Sequence, residues 1–319
     1  MRACLALLLA SWGYGWLRCP WTHAEVLPSN PARDEAIVVQ LKGMLGQSPE
    51  VNFRGPFGVT AGADDRIYVA DDLAHTIYVF DSQHRLRETI GKHGTKGGEL
   101  AWVDAVAVDT VGNLYIADTG NDRVQLLDPQ RRVIRMFGKR GQKPGEFRNP
   151  RGIALDSQHN IYVVDWQNHR IQVFDQHGHF LRQFGGFGTQ AGQFNSPIAI
   201  FINREDHVFI CDFKNHRVQR FDTEGRVVTT WGTYGTGQGE LQHPSGITQD
   251  QRGRVYVADS GNHRVQIFSA DGQFVGTFGQ AGHQAGALQE PTSVAVNTQH
   301  DLYVVDKGNR RVQIFQLLP

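Results

Sequence analysis

Three patterns in the sequence could carry chemistry. An aspartate followed five residues later by an arginine recurs as Asp118 and Arg123, Asp165 and Arg170, Asp212 and Arg217, Asp259 and Arg264, and Asp306 and Arg311. A carboxylate beside a guanidinium could do acid–base work, but five equivalent copies cannot be one active site. The pattern reads instead as a turn clasp, in which the aspartate accepts turn N–H bonds and the arginine pairs with a carboxylate. Histidines form the second pattern, a column of His75, His169, His216 and His263. Zinc needs ligands at about 2 Å, whereas neighbouring strands are already about 4.8 Å apart, so histidines on successive repeats do not meet at one ion. The third pattern is a run of charge. Residues 138–151 hold Lys139, Arg140, Lys143, Arg148 and Arg151 against Glu146 alone, while the corresponding residues 185–198 hold no charge. Trp166 and Phe213, which share a column, and Phe187 and Tyr234, which share another, are expected beside this run. A basic sector next to exposed rings suits an anionic or stacking ligand. HExxH, GxSxG and CxxC are all absent from the sequence.

These residues are positioned by a repeat. Asp71, Asp118, Asp165, Asp212, Asp259 and Asp306 recur every 47 residues without an insertion. Six copies begin at Phe53, Leu100, Phe147, Phe194, Leu241 and Leu288. In the third copy, Ile153-Ala154-Leu155, Ile161-Tyr162-Val163-Val164, Ile171-Gln172-Val173-Phe174 and Phe180-Leu181-Arg182-Gln183-Phe184 are short runs rich in β-formers. Polar turns separate them, and no window has a helical period. Four short antiparallel strands per repeat, arranged around an axis, protect their own edges as a propeller. One column reads Tyr68, Tyr115, Tyr162, Phe209, Tyr256 and Tyr303, and another reads Ile90, Phe137, Phe184, Trp231 and Phe278. Such rings fill the wedge between twisted blades. Cys211 shares a column with Ala70, Ala117, Val164, Ala258 and Val305, which makes it a small core residue. The sixth copy stops after its third strand. Residues 36–43, followed by Gly46, match the missing fourth strand and are expected to close the ring.

Composition agrees with a globular chain. Lys and Arg number 32, as do Asp and Glu, so no chain-wide field draws the protein to nucleic acid. Of 319 residues 36 are Gly, above the usual ~7%, and without a collagen period they belong in turns. Three Cys, at 4, 19 and 211, make no disulfide framework. Arg2 precedes the apolar run of residues 3–10, which is too short to span a bilayer and has the form of a secretory signal. The expected organisation is a signal peptide over residues 1–24, a linker over 25–35 and a propeller over 36–319.

Asn168-His169-Arg170-Ile171-Gln172-Val173-Phe174 and Asn262-His263-Arg264-Val265-Gln266-Ile267-Phe268 resemble NHL repeats, and the resemblance extends from Ala36 to Phe315. It implies an all-β fold, a six-bladed β-propeller of four-stranded antiparallel blades closed by an N-terminal strand. The first copy departs, with Ala74-His75-Thr76 in place of Asn-x-Arg, and the second has Val103 in place of Pro. NHL propellers bind RNA or proteins, act as sensor modules, or catalyse lyase chemistry, so the fold does not choose among these. An amidating-type lyase would need several histidines near the axis, and the column before the repeat proline offers His243 alone. The expected function is therefore an exported, periplasmic or extracellular, monomeric binding module with no cofactor. Its partner would be a protein, a peptide or an anionic polymer, bound through Arg140, Lys143, Arg148, Arg151, Trp166, Phe187, Phe213 and Tyr234. Nucleic acid is not expected as a ligand, and no membrane span is expected after signal cleavage. The alternative is a lyase or hydrolase with a metal in the central channel.

Overall fold

The computed structural model describes residues 24–26, 38–46 and 50–318. Six antiparallel sheets stand around one axis. Blade 1 runs from Pro56 to Ile90, blade 2 from Val103 to Phe137, blade 3 from Pro150 to Gly185, blade 4 from Pro197 to Trp231 and blade 5 from Pro244 to Phe278. Each has four strands in sequence order, and the first strands meet side by side in a closed inner ring. Blade 6 takes Pro291–Val296, Asp301–Asp306 and Arg311–Leu318 from one end of the chain and Val38–Leu45 from the other. Leu45 pairs with Val312 and Val38 with Leu318, as the sixth copy's missing strand required. A further short strand, Ala24–Val26, adds to the open edge of Val38–Leu45, an addition the repeat did not foreshadow. The apolar run at residues 3–10, with Cys4 and Cys19, lies outside the described residues.

The columns pack as their residue types dictate. The second strands are wholly buried in every blade. Tyr68, Tyr162, Tyr256 and Tyr303 are among the largest fully buried side chains, and burying a large apolar side chain is worth about 1.5–3 kcal/mol. Trp231 meets Phe209 at 6.3 Å and Phe268 of the next blade at 6.0 Å, so the fourth-strand rings tie neighbouring sheets together. Glycine is required where the chain leaves the fourth strand: Gly138 has φ +94°, and a Cβ there would run into the ring of Phe147. Helix among the described residues is limited to five single 3-10 turns between second and third strands.

Candidate functional site

The recurrent aspartates build the scaffold. Asp165 is fully buried at the end of a second strand. Its Oδ1 accepts the N–H of Arg148 at 2.7 Å, and its Oδ2 accepts from Asn168 at 2.8 Å, Arg170 Nε at 2.8 Å and Gln172 Nε2 at 3.1 Å. Arg170 and Gln172 also donate to the carbonyl of Glu146, and Gln172 Oε1 accepts the N–H of Gly145. The clasp therefore fastens the incoming connection to its blade, and Asn and Gln belong to it beside the Asp and Arg. Blade 1 lacks the Arg, and Asp71 there accepts the N–H groups of Arg54, Gly55 and Ala74 instead.

The histidine column fastens one blade to the next. His75, His169, His216 and His263 each adopt φ near +55°. Their Nδ1 atoms accept the N–H groups of Trp102, Ser196, His243 and Glu290 at 2.9–3.1 Å. An accepting Nδ1 requires the neutral ring with its proton on Nε2. Asp122 does the same for Asn149 in blade 2. Burial lowers the pKa of His75, His169 and His216 below the usual histidine value.

What differs between blades gathers at the axis. Every first strand opens with a register shift beside its entry residue, as at Pro56/Gly58 and Pro150/Ile153. Such a bulge re-aims one side chain. Six re-aimed residues, Phe57, Asp104, Arg151, Ile198, Ser245 and Thr292, line the central channel. The turns after the second strands bring Asp72, Thr119, Trp166 and Lys307 to the same mouth, and Phe213 and Ser260 hold the equivalent positions in blades 4 and 5. Several of these positions satisfy themselves across the blade seam. Thr119 donates to the carbonyl of Pro150 at 2.7 Å, Ser245 to that of Pro291 at 2.9 Å, and Thr292 to that of Phe57 at 2.8 Å.

Asp104, Arg151, Asp72 and Trp166 do not. Asp104 Oδ2 lies 3.4 Å from Arg151 Nε, but neither atom makes a hydrogen bond. Asp72 Oδ1 and Trp166 Nε1 are likewise buried without a partner. The Arg151 guanidinium sits 4.1 Å from the Trp166 ring centre and 5.4 Å from that of Phe57. Lys307 Nζ lies 4.4 Å from the Phe57 centre and 3.2 Å from Asp72 Oδ2. Burial pushes the Asp104 carboxyl up to about 7, a rise that Arg151 opposes and Asp72 reinforces. The channel beneath holds about 160 Å³ of free space between apolar walls that include Val59, Val106, Ile153 and Ile247.

Four segments, residues 147–174, 194–221, 241–268 and 288–315, match the NHL repeat family model. The chain is an NHL-repeat propeller. Each matched segment runs from the entry residue of a copy to the end of its third strand, and the two divergent copies lie outside the match. No curated protein matches the chain. Solved structures with this fold include a gluconolactonase from Xanthomonas campestris, with TM-score 0.66 and 11% identity over 92% of this chain and 95% of that one. An auxiliary nutrient binding protein from Bacteroides ovatus matches with TM-score 0.64 and 15% identity, over 89% and 77%. Virginiamycin B lyase from Staphylococcus aureus matches with TM-score 0.60 and 14% identity, over 89% and 88%. At such identities the likeness is one of fold.

The NHL propeller divides the residues expected to bind. Arg151 and Trp166 stack at the mouth, and Phe213 lies against His243 of the next blade at 4.7 Å with ring planes 25° apart. Phe187 and Tyr234 stand farther out, exposed, each beside its column histidine, His169 or His216. The basic run is less basic than its sequence implies. Lys139 pairs with Glu146 at 3.6 Å and Arg151 turns inward to Asp104, which leaves Arg140, Lys143 and Arg148 without an ion partner among the described residues. Asp104, Asp72, Lys307 and Phe57 had not been singled out. The column of Phe57, one residue after the repeat proline, carried the signal in its six different side chains. Cys211 is buried in its column, and burial drives its thiol pKa far upward. Among the described residues no three His, Cys, Asp or Glu side chains converge as a metal would need, and Asp104 is the channel's single acidic lining residue.

Proposed function

We propose that this NHL propeller is an exported binding module whose ligand docks on the loop face, over the channel mouth, with Arg151 and Trp166 at the centre. The observation that carries the reading is the cluster of unpaired buried polar atoms at Asp72, Asp104, Arg151 and Trp166. Leaving a buried polar group unsatisfied costs about 1–3 kcal/mol. The scaffold uses Thr119, Ser245 and Thr292 to avoid that cost at corresponding positions. A fold that can satisfy these sites but does not in three adjoining blades is arranged for something other than stability. Phe213, Phe187, Tyr234, Arg140, Lys143 and Arg148 form a rim for the outer parts of a larger ligand. Export rests on Arg2 and the apolar run that follows it. Among the described residues no helix is long and apolar enough to cross a membrane.

The test is thermal unfolding against a panel of small molecules and peptides. A ligand that binds the folded state raises its melting temperature by mass action. Compounds that raise the melting temperature of the wild type but not of Trp166→Ser are expected; blade 5 already carries Ser260 at this position. If Trp166→Ser responds to every active compound as the wild type does, the site lies elsewhere.

A further inference from the structure

We infer that the channel mouth binds a neutral, polyhydroxylated molecule, a single sugar ring, through Asp72, Asp104, Arg151 and Trp166. The inference rests on the mouth being the ligand site and goes on to name the ligand's chemistry.

The unpaired atoms define what is missing. Asp72 Oδ1 and Asp104 Oδ2 want donors; Arg151 Nε and Trp166 Nε1 want acceptors. Each carboxyl stands against a cation, Asp72 facing Lys307 at 3.2 Å and Asp104 facing Arg151 at 3.4 Å. A ligand charge of either sign would therefore meet its like as well as its opposite. A hydroxyl is donor and acceptor on one atom, so two neighbouring hydroxyls can answer both kinds of demand without adding charge.

Space narrows the choice. The channel holds about 160 Å³, close to the roughly 150 Å³ cavity that takes one benzene ring. A hexose is larger than benzene, so the channel takes one edge of the ring while the rest stays in the open mouth, and a folded peptide loop does not enter. Below the polar mouth, Val59, Val106, Ile153 and Ile247 offer apolar walls to the C–H face of such a ring. Arg151 faces Asp104 and stacks on Trp166, so a ligand must turn that pair aside to reach Asp104. Both covering side chains are half-buried rather than locked in the core. The stack is thus part of the site and not a neighbour of it.

The test is saturation-transfer NMR and calorimetry on the wild-type chain, using glucose, galactose and mannose as neutral probes and citrate and triglycine as charged ones. Binding of at least one sugar is expected. It should weaken about tenfold or more in Asp104→Ser, the loss of one to two hydrogen bonds, and in Trp166→Ser. Val111→Ser, in the exposed turn between the first and second strands of blade 2, should bind as the wild type does. Serine already occupies the positions equivalent to Asp104 and Trp166 in blade 5, at Ser245 and Ser260, so both variants are compatible with the blade. Failure of all three sugars to bind overturns the inference, as does sugar binding that survives both serine variants. If the sugars fail while citrate or triglycine binds and is lost in Trp166→Ser, the mouth stands as the ligand site and only its sugar chemistry falls.

Discussion

Asp104→Ser should make the protein more stable, and by an amount that grows with pH. Asp104 faces Arg151, Asp72 and Lys307 in the mouth, and its carboxyl titrates at about 7 instead of its ordinary 3.8. Between these values the folded chain holds a proton that the unfolded chain has released. Wild-type stability therefore falls as pH rises through this window, and the loss is complete above pH 7. At about 1.36 kcal/mol per pH unit the penalty is on the order of 4 kcal/mol at pH 8 and between 1 and 2 kcal/mol at pH 5. Serine removes it. Arg151 then loses its facing carboxylate, but it is partly exposed and can reach water, so roughly 1 kcal/mol is given back. The variant should gain about 3 kcal/mol at pH 8 and less than about 1 kcal/mol at pH 5. Urea unfolding of both proteins at both pH values measures this. The wild-type-minus-variant comparison cancels every other titrating group, including histidines whose effect runs the opposite way. Equal gains at the two pH values, or a loss at pH 8, would mean that Asp104 is ionised and well paired, and the reasoning about the mouth would fail.

Other outcomes follow from the same geometry. His75, His169 and His216 have lowered folded-state pKa values, so their seam bonds stabilise above the ordinary histidine value of about 6.5 and are lost as pH falls below it. His169→Asp, which copies Asp122 of blade 2, should flatten the fall in unfolding midpoint between pH 7 and 5; an unchanged slope would remove His169 from the seam. Deleting residues 38–45 should leave Arg311–Leu318 as an unpaired apolar edge and cause aggregation, and a soluble monomer with unaltered melting would contradict that. Cys211→Val should keep the stability of the wild type within about 1 kcal/mol, and the native thiol should resist a thiol reagent until the chain unfolds; rapid labelling of the folded protein would show the column to be open. Arg140→Ser combined with Lys143→Ser should reduce the salt dependence of any anionic partner's binding without moving the melting temperature, and a large drop in stability would show that these side chains pack.

The fold could be read because packing imposes the same demand six times. A wedge between twisted sheets needs a ring at Tyr68, and again at Tyr115, Tyr162, Phe209, Tyr256 and Tyr303, so the period survives wherever sequence detail drifts. Even the departures in the first copy were meaningful, since Thr76 stands where the clasp arginine would be. The mouth was only half readable. Trp166 and Phe213 are the two aromatic rings in a column that is otherwise Asp72, Thr119, Ser260 and Lys307. The charge run drew attention because its residues are neighbours in sequence, yet Arg151 is drawn from it by Asp104, one repeat upstream in the chain. Asp104 itself follows Val103, which stands where the other copies carry proline, and its inward aim comes from a bulge that the alternation of side chains does not record. Residues one repeat apart meet at the axis once neighbouring blades pack.

That ring has one latch, and it is made of two strands that lie far apart in the chain. Val38–Leu45 leaves the ribosome before any blade exists, while its partner Arg311–Leu318 follows about 260 residues later. At about 5–20 residues per second the delay is roughly 15–50 s. Throughout that interval blades 1 to 5 can form from local hairpins, but blade 6 cannot, and the channel mouth lacks Lys307 and Thr292. An apolar strand kept waiting this long is open to mispairing with a neighbouring chain. The channel mouth is therefore completed only after Arg311–Leu318 has emerged, and a helper that shields the waiting strand would act on yield without touching the folded propeller.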